Sequence, residues 1–223
     1  IGGVRVMSVA ALARFAPGTY DLEVASRTVG VVGWVGDWKG NSFTRGTIGE
    51  GGLRPLSHRA DSVWRNEPRF VELVYGPDRR VAVAAEPPPD KDDRDPVPEA
   101  LTRDTVDTLT AIMGLVRSFG VDGRCAGAYP AFDGRRRYDI LIEDQGEAAL
   151  EPSSYSAYAG AARKCRVTTR RVAGYWKGRG NDAAEQQGFV WMAPVLAGRP
   201  PVPVRAEAEM MLGALVLNLK KAE

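Results

Sequence analysis

Only two cysteines and a single histidine occur among the 223 residues. Two sulfurs without a cluster of histidines cannot form a Cys/His zinc site at the usual close spacing, so neither a metal nor a cofactor is expected. Charge of one sign is missing too. The 30 basic and 28 acidic side chains leave +2, too weak a field to make nucleic acid the main partner. No run of about 18 successive apolar residues exists, so the chain is not expected to span a bilayer. With 44% apolar and 26% charged residues, wholesale disorder, collagen-like repeats and coiled coil are excluded. What is plentiful is glycine (25) and proline (15), a bias toward many short strands and turns. The length suits one domain, taken as residues 1–223.

Period-two alternation dominates the chain. In Tyr20 to Trp34 the even positions Tyr20, Leu22, Val24, Val32 and Trp34 are apolar, while Asp21, Glu23 and Arg27 are charged. That pattern describes a half-buried antiparallel strand. In Leu53 to Arg65, Leu56, His58, Ala60 and Trp64 share a face, and Pro55 predicts an edge position at the strand's start. Gly76-Pro77-Asp78-Arg79 and Asp133-Gly134 mark tight turns. Strand patterns at Arg136 to Glu143, Arg166 to Trp176, Gly188 to Met192, Val202 to Met210 and Gly213 to Leu219 bring the expected total to ten or eleven. One segment departs from alternation. Asp104 to Phe119 places Leu109, Ile112, Met113 and Val116 on one helical stripe. Asp104 or Asp107 can cap its start, and Gly120 can close its end.

Few residues carry chemistry. His58 is the one side chain poised to titrate near neutrality, but no nucleophile accompanies it in sequence, so it reads as structural and no catalytic residue is assigned. Asp107 fits helix capping better than acid–base work, having no partner carboxylate at helical spacing. Arg135, Arg136 and Arg137, beside the Asp133-Gly134 turn, can meet an anion or a partner protein, or simply form a charged hairpin end. Gly178-Arg179-Gly180 lacks the Gly-Lys-Ser/Thr ending of a phosphate loop. Trp34, Trp64, Phe70, Met113, Phe119, Trp176 and Trp191 can line a lipophilic cavity inside a curved sheet, or fill an ordinary core. Cys125 lies in a loop-like stretch and Cys165 starts a strand pattern. They are either two buried thiols or one bridge closing a loop of about 40 residues.

These pieces occur in an ordered series. Gly52-Leu53-Arg54-Pro55 comes first, then Asp107-Thr108-Leu109-Thr110-Ala111, then Cys125 ahead of Phe132-Asp133-Gly134-Arg135-Arg136-Arg137-Tyr138-Asp139. Tyr158-Ala159-Gly160, Cys165, Val172-Ala173-Gly174-Tyr175-Trp176 and Val202-Pro203-Val204 follow. From about Gly3 to Leu219 the series resembles the domain-of-unknown-function family 3108, exported proteins of Gram-negative envelopes. The resemblance implies a periplasmic protein made with a cleaved leader, and a Cys125–Cys165 disulfide formed in that oxidising compartment. It also implies a shape similar to lipoprotein carriers: a curved, partly open antiparallel β-barrel with one amphipathic helix at its mouth. The expected function is non-enzymatic binding or carriage of a lipophilic envelope component. The alternative is a protein-interaction scaffold for envelope integrity, with an envelope protein as partner. A hydrolase built on His58 is the weakest of the three.

Overall fold

The computed structural model describes residues 4–30, 37–64, 66–88, 94–177, 185–210 and 213–223. Strands β1 (Met7–Ala16), β2 (Thr19–Thr28), β3 (Trp38–Gly49), β4 (Gly52–Trp64), β5 (Glu67–Tyr75) and β6 (Val81–Glu86) form one antiparallel meander in chain order. Two helices follow, α1 (Glu99–Thr102) and α2 (Thr108–Asp122). Strands β7 (Ala126–Phe132), β8 (Arg137–Leu150), β9 (Gly160–Ala173), β10 (Glu185–Ala193), β11 (Val202–Met210) and β12 (Gly213–Asn218) make a second meander, again paired only with sequence neighbours. The mainly β class is as expected, with twelve strands among the described residues. The barrel is not: each six-stranded sheet stays open, because its first and last strands never pair. The helix sits between two sheets instead of at the mouth of one.

That position explains the composition of α2. Leu109 and Met113 pack on Tyr20 and Leu22 of the first sheet. Ala111, Leu115 and Val116 pack on Ala131, Ile140, Ile142 and Met192 of the second. The single stripe expected from Leu109, Ile112, Met113 and Val116 is therefore corrected to two buried faces, and Ile112 is left 39% exposed. Asp107 caps the start, accepting the Thr110 N–H at 2.9 Å. The end falls not at Gly120 but at Gly123, whose φ of 65° suits a residue without Cβ and whose N–H reaches the Phe119 carbonyl. Gly114 and Gly127 flank the Tyr129 ring. A Cβ on either would overlap it, so the pair lets α2 approach β7 closely.

Pro55 lies at the start of β4, which pairs there with β3 alone, so the strand's start is an edge as expected even though its later part is interior. It is tolerated because it faces Gly46 across a bulge and stands beyond the last β4–β5 pair, Ser57 with Val74. Cys125 and Cys165 form a disulfide. Beside it, β8 bulges between Asp144 and Glu147. The Asp144 carboxylate accepts the N–H groups of Cys125 (3.1 Å) and Gly146 (2.8 Å) and holds Arg163 through two nitrogens. The ion pair thus ties β8 to β9, the strand that carries Cys165, while the same carboxylate holds the Cys125 N–H just ahead of β7.

Candidate functional site

Between α2 and the first sheet lies a buried polar knot. Register places Leu22, Thr44, His58 and Leu73 side by side on β2 to β5, all facing the helix. Asp107, fully buried, accepts the hydroxyls of Thr44 (2.9 Å) and Thr110 (2.6 Å) on Oδ2, and its Oδ1 stands 3.3 Å from His58 Nδ1. Tyr20 shares a 2.8 Å hydrogen bond with the Thr110 hydroxyl. Burial disfavours a charged Asp107, but the neighbouring imidazole and the Thr110 bonds outweigh it and hold the carboxyl below its ordinary 3.8. Burial drives the Tyr20 and Tyr75 phenols well above their usual range. These bonds run from helix to sheet, so the chemistry of the knot is anchoring. The capping expectation for Asp107 agrees with this geometry, and His58 lies beside that cap.

The other face of the first sheet carries a groove of about 770 Å³. The register sorts its lining into rows that cross the strands. One row runs Ser8, Arg27, Lys39, Val63, Pro68, and the next Ala10, Ala25, Asn41, Asp61, Phe70. A second depression of about 540 Å³ shares Ala10, Ala25, Asn41 and Asp61 and adds Leu12, Phe43 and Arg59. Apolar floor alternates with charged walls: the Arg59 guanidinium lies 5.0 Å from the centre of the Phe70 ring and grips Asp61 through two 2.8 Å bonds.

The expected cavity residues do not meet around one space. Phe70 alone lines the groove. Met113 is buried between α2 and the first sheet, and Phe119 packs toward the second. Trp191 belongs to a separate cluster with Ala162, Ala193 and Val204. Trp64 ends β4, and Trp176 lies under the Arg94 guanidinium at 4.2 Å. Trp34 and Gly178-Arg179-Gly180 are outside the described residues. The three hairpin arginines are engaged as well. Arg135 donates to the Pro87 carbonyl, Arg136 pairs with Asp133 at 2.7 Å, and Arg137 lies 2.8 Å from Asp139. Sequence reasoning missed Arg27 with Lys39, Ala25 and Val63 as groove residues. Alternation marked Arg27 as solvent-facing but could not tell that its neighbours would be Lys39 and Ser8.

Among the described residues no group of three or more His, Cys, Asp or Glu side chains is placed to hold a metal ion. No described helix is long and apolar enough to cross a membrane. A disulfide is the kind of bond that persists in oxidising, extracytoplasmic compartments. Residues 3–220 match the family described as protein of unknown function (DUF3108). No curated protein and no solved structure matches.

Proposed function

The chain belongs to the DUF3108 family of proteins of unknown function, and on that premise we propose that it is a non-enzymatic periplasmic protein that binds a lipophilic component of the cell envelope. The groove on the first sheet carries this reading. A space of about 770 Å³ floored by Ala10, Ala25, Val63 and Phe70 is within the usual size of small-ligand sites and offers apolar surface to a hydrocarbon chain. The interior assigned to the ligand by analogy with carriers is taken by α2, so the bound molecule belongs on the opposite face. The disulfide supports an oxidising compartment, of which the periplasm is one.

The test is uptake of a fluorescent acyl probe by the purified protein. Binding is expected to be saturable and to be lost in Phe70→Asp, with Met113→Ala affecting stability but not uptake. Failure to bind probes of several lipid classes, in protein with an intact fold, overturns the reading. A second reading, a scaffold for another envelope protein, is favoured by β1. This edge strand is ten residues long, mostly exposed, and carries Arg14 as its sole charge. Such an edge is a template for strand addition. A single stoichiometric partner recovered by crosslinking and lost on Leu12→Lys, with no probe uptake, would favour it.

A further inference from the structure

We propose that the groove takes an amphiphile with an anionic headgroup, and that Arg27 and Lys39 hold that headgroup. The inference rests on the groove being a lipophile site and adds which chemical class it accepts. Arg27 and Lys39 are direct cross-strand partners on β2 and β3, and both line the groove. Two like charges placed opposite one another on one face of a sheet repel, so such a pair normally recruits a carboxylate. Other arginines on this face have done so. Arg14 holds Asp21 at 2.6 Å and Glu23 at 3.1 Å, and Arg59 holds Asp61 at 2.8 Å and Glu72 at 3.5 Å. Arg27 and Lys39 have no ion-pair partner among the described residues. Their row continues through Val63 to Pro68, and the adjoining row brings Phe70.

The groove is therefore polarised. Arg27 and Lys39, without an ion-pair partner among the described residues, stand over β2 and β3. The apolar floor of Val63 and Phe70 runs toward β5, where Arg69 also lines the groove but lies 3.8 Å from Glu67, and the Glu86 carboxylate closes the β6 side. From β1 to β5 it spans four strand spacings, roughly 19 Å. An extended chain with one anionic end lies in it in one direction only: head on Arg27 and Lys39, far from the Glu86 carboxylate, and tail over Val63 and Phe70 toward the β6 side. Phosphate and carboxylate heads share the needed chemistry, since both accept charge-assisted hydrogen bonds from guanidinium and ammonium groups. The Asp61 carboxylate, which would repel an anion, is already covered by Arg59.

The experiment compares pyrene-labelled hexadecanoic acid, pyrene-labelled hexadecyl phosphate and the methyl ester of the acid on the full chain at mildly alkaline pH. Both anionic probes are expected to bind about tenfold more tightly than the ester. Raising salt from about 50 to about 500 mM should remove most of that advantage while leaving the ester unaffected. In Arg27→Gln/Lys39→Gln the anionic probes should fall to the affinity of the ester, with ester binding unchanged and circular dichroism unaltered. Equal binding of all three probes by the wild-type protein, insensitive to salt, overturns the headgroup assignment and leaves the lipophile site standing. Displacement of the phosphate probe by inorganic phosphate at the same concentration overturns it too, since the tail would then contribute nothing. Absence of binding by every probe overturns the lipophile reading itself, and the headgroup assignment with it.

Discussion

The carboxylate of Asp107 stands 3.3 Å from Nδ1 of His58, forty-nine positions earlier in the chain, while its oxygens cap α2 and take the Thr44 hydroxyl. One side chain thereby orients the helix start and fastens it to β3 and β4. Asp107→Ala removes a cap worth about 0.5–2 kcal/mol and strands buried hydroxyls at about 1–3 kcal/mol. Urea unfolding at neutral pH is expected to show a loss in the region of 2–4 kcal/mol.

The same residue gives stability an acid limb. Its folded-state value is held below 3.8, so its charged form contributes fully above that value and the contribution disappears as pH falls through the lower one. Unfolding midpoints measured from pH 6 downward, in steps of about half a unit, should decline below 3.8. Asp107→Asn should flatten that decline, whereas an unchanged slope would detach the limb from Asp107.

Asp144 is the second carboxylate with a depressed value. The Arg163 guanidinium is the main cause, opposed by partial burial and helped by the Cys125 and Gly146 N–H groups, and together they bring it to about 2. An NMR titration of the Asp144 carboxyl should place it there in the wild-type protein and move it toward 3.8 in Arg163→Met. A resonance that stays put would show that the backbone N–H groups, not the guanidinium, dominate.

The Cys125–Cys165 bridge closes a loop across 40 positions, which the chain-entropy description equates with about 4 kcal/mol. Peptide mapping without reductant should recover the linked pair. Replacing both cysteines by serine should cost about 2–5 kcal/mol in urea unfolding. A smaller loss would mean that the β7–β8–β9 ladder and the Asp144 contacts hold these segments without the bridge.

Gly46 offers a packing test. A Cβ there would run into the Arg54 carbonyl oxygen and stand 2.5 Å from the Tyr20 hydroxyl oxygen, whereas a Cβ at Gly49 meets nothing within 4 Å. Gly46→Ala is expected to destabilise by about 1–3 kcal/mol and Gly49→Ala by less than about 0.5 kcal/mol, judged by thermal unfolding.

Local pattern by itself determined the antiparallel strands, the single long helix and the role of Asp107 as its cap, because side-chain alternation and capping depend on residues a few positions apart. It did not reveal β1 or β3. Their small residues, such as Ala10, Ala11 and Ala13, or Gly40 and Gly46, break the contrast between faces. Only the tertiary structure decided that two sheets stay open instead of closing one barrel, that α2 is buried on both sides, and that Met113, Trp176 and Trp191 belong to separate surroundings. The meeting of His58 with Asp107, and the facing of Arg27 by Lys39, were decided there too. Strand register and sheet closure are set by which distant segments pair and pack, and a sequence pattern of period two is the same whichever partner the strand finds.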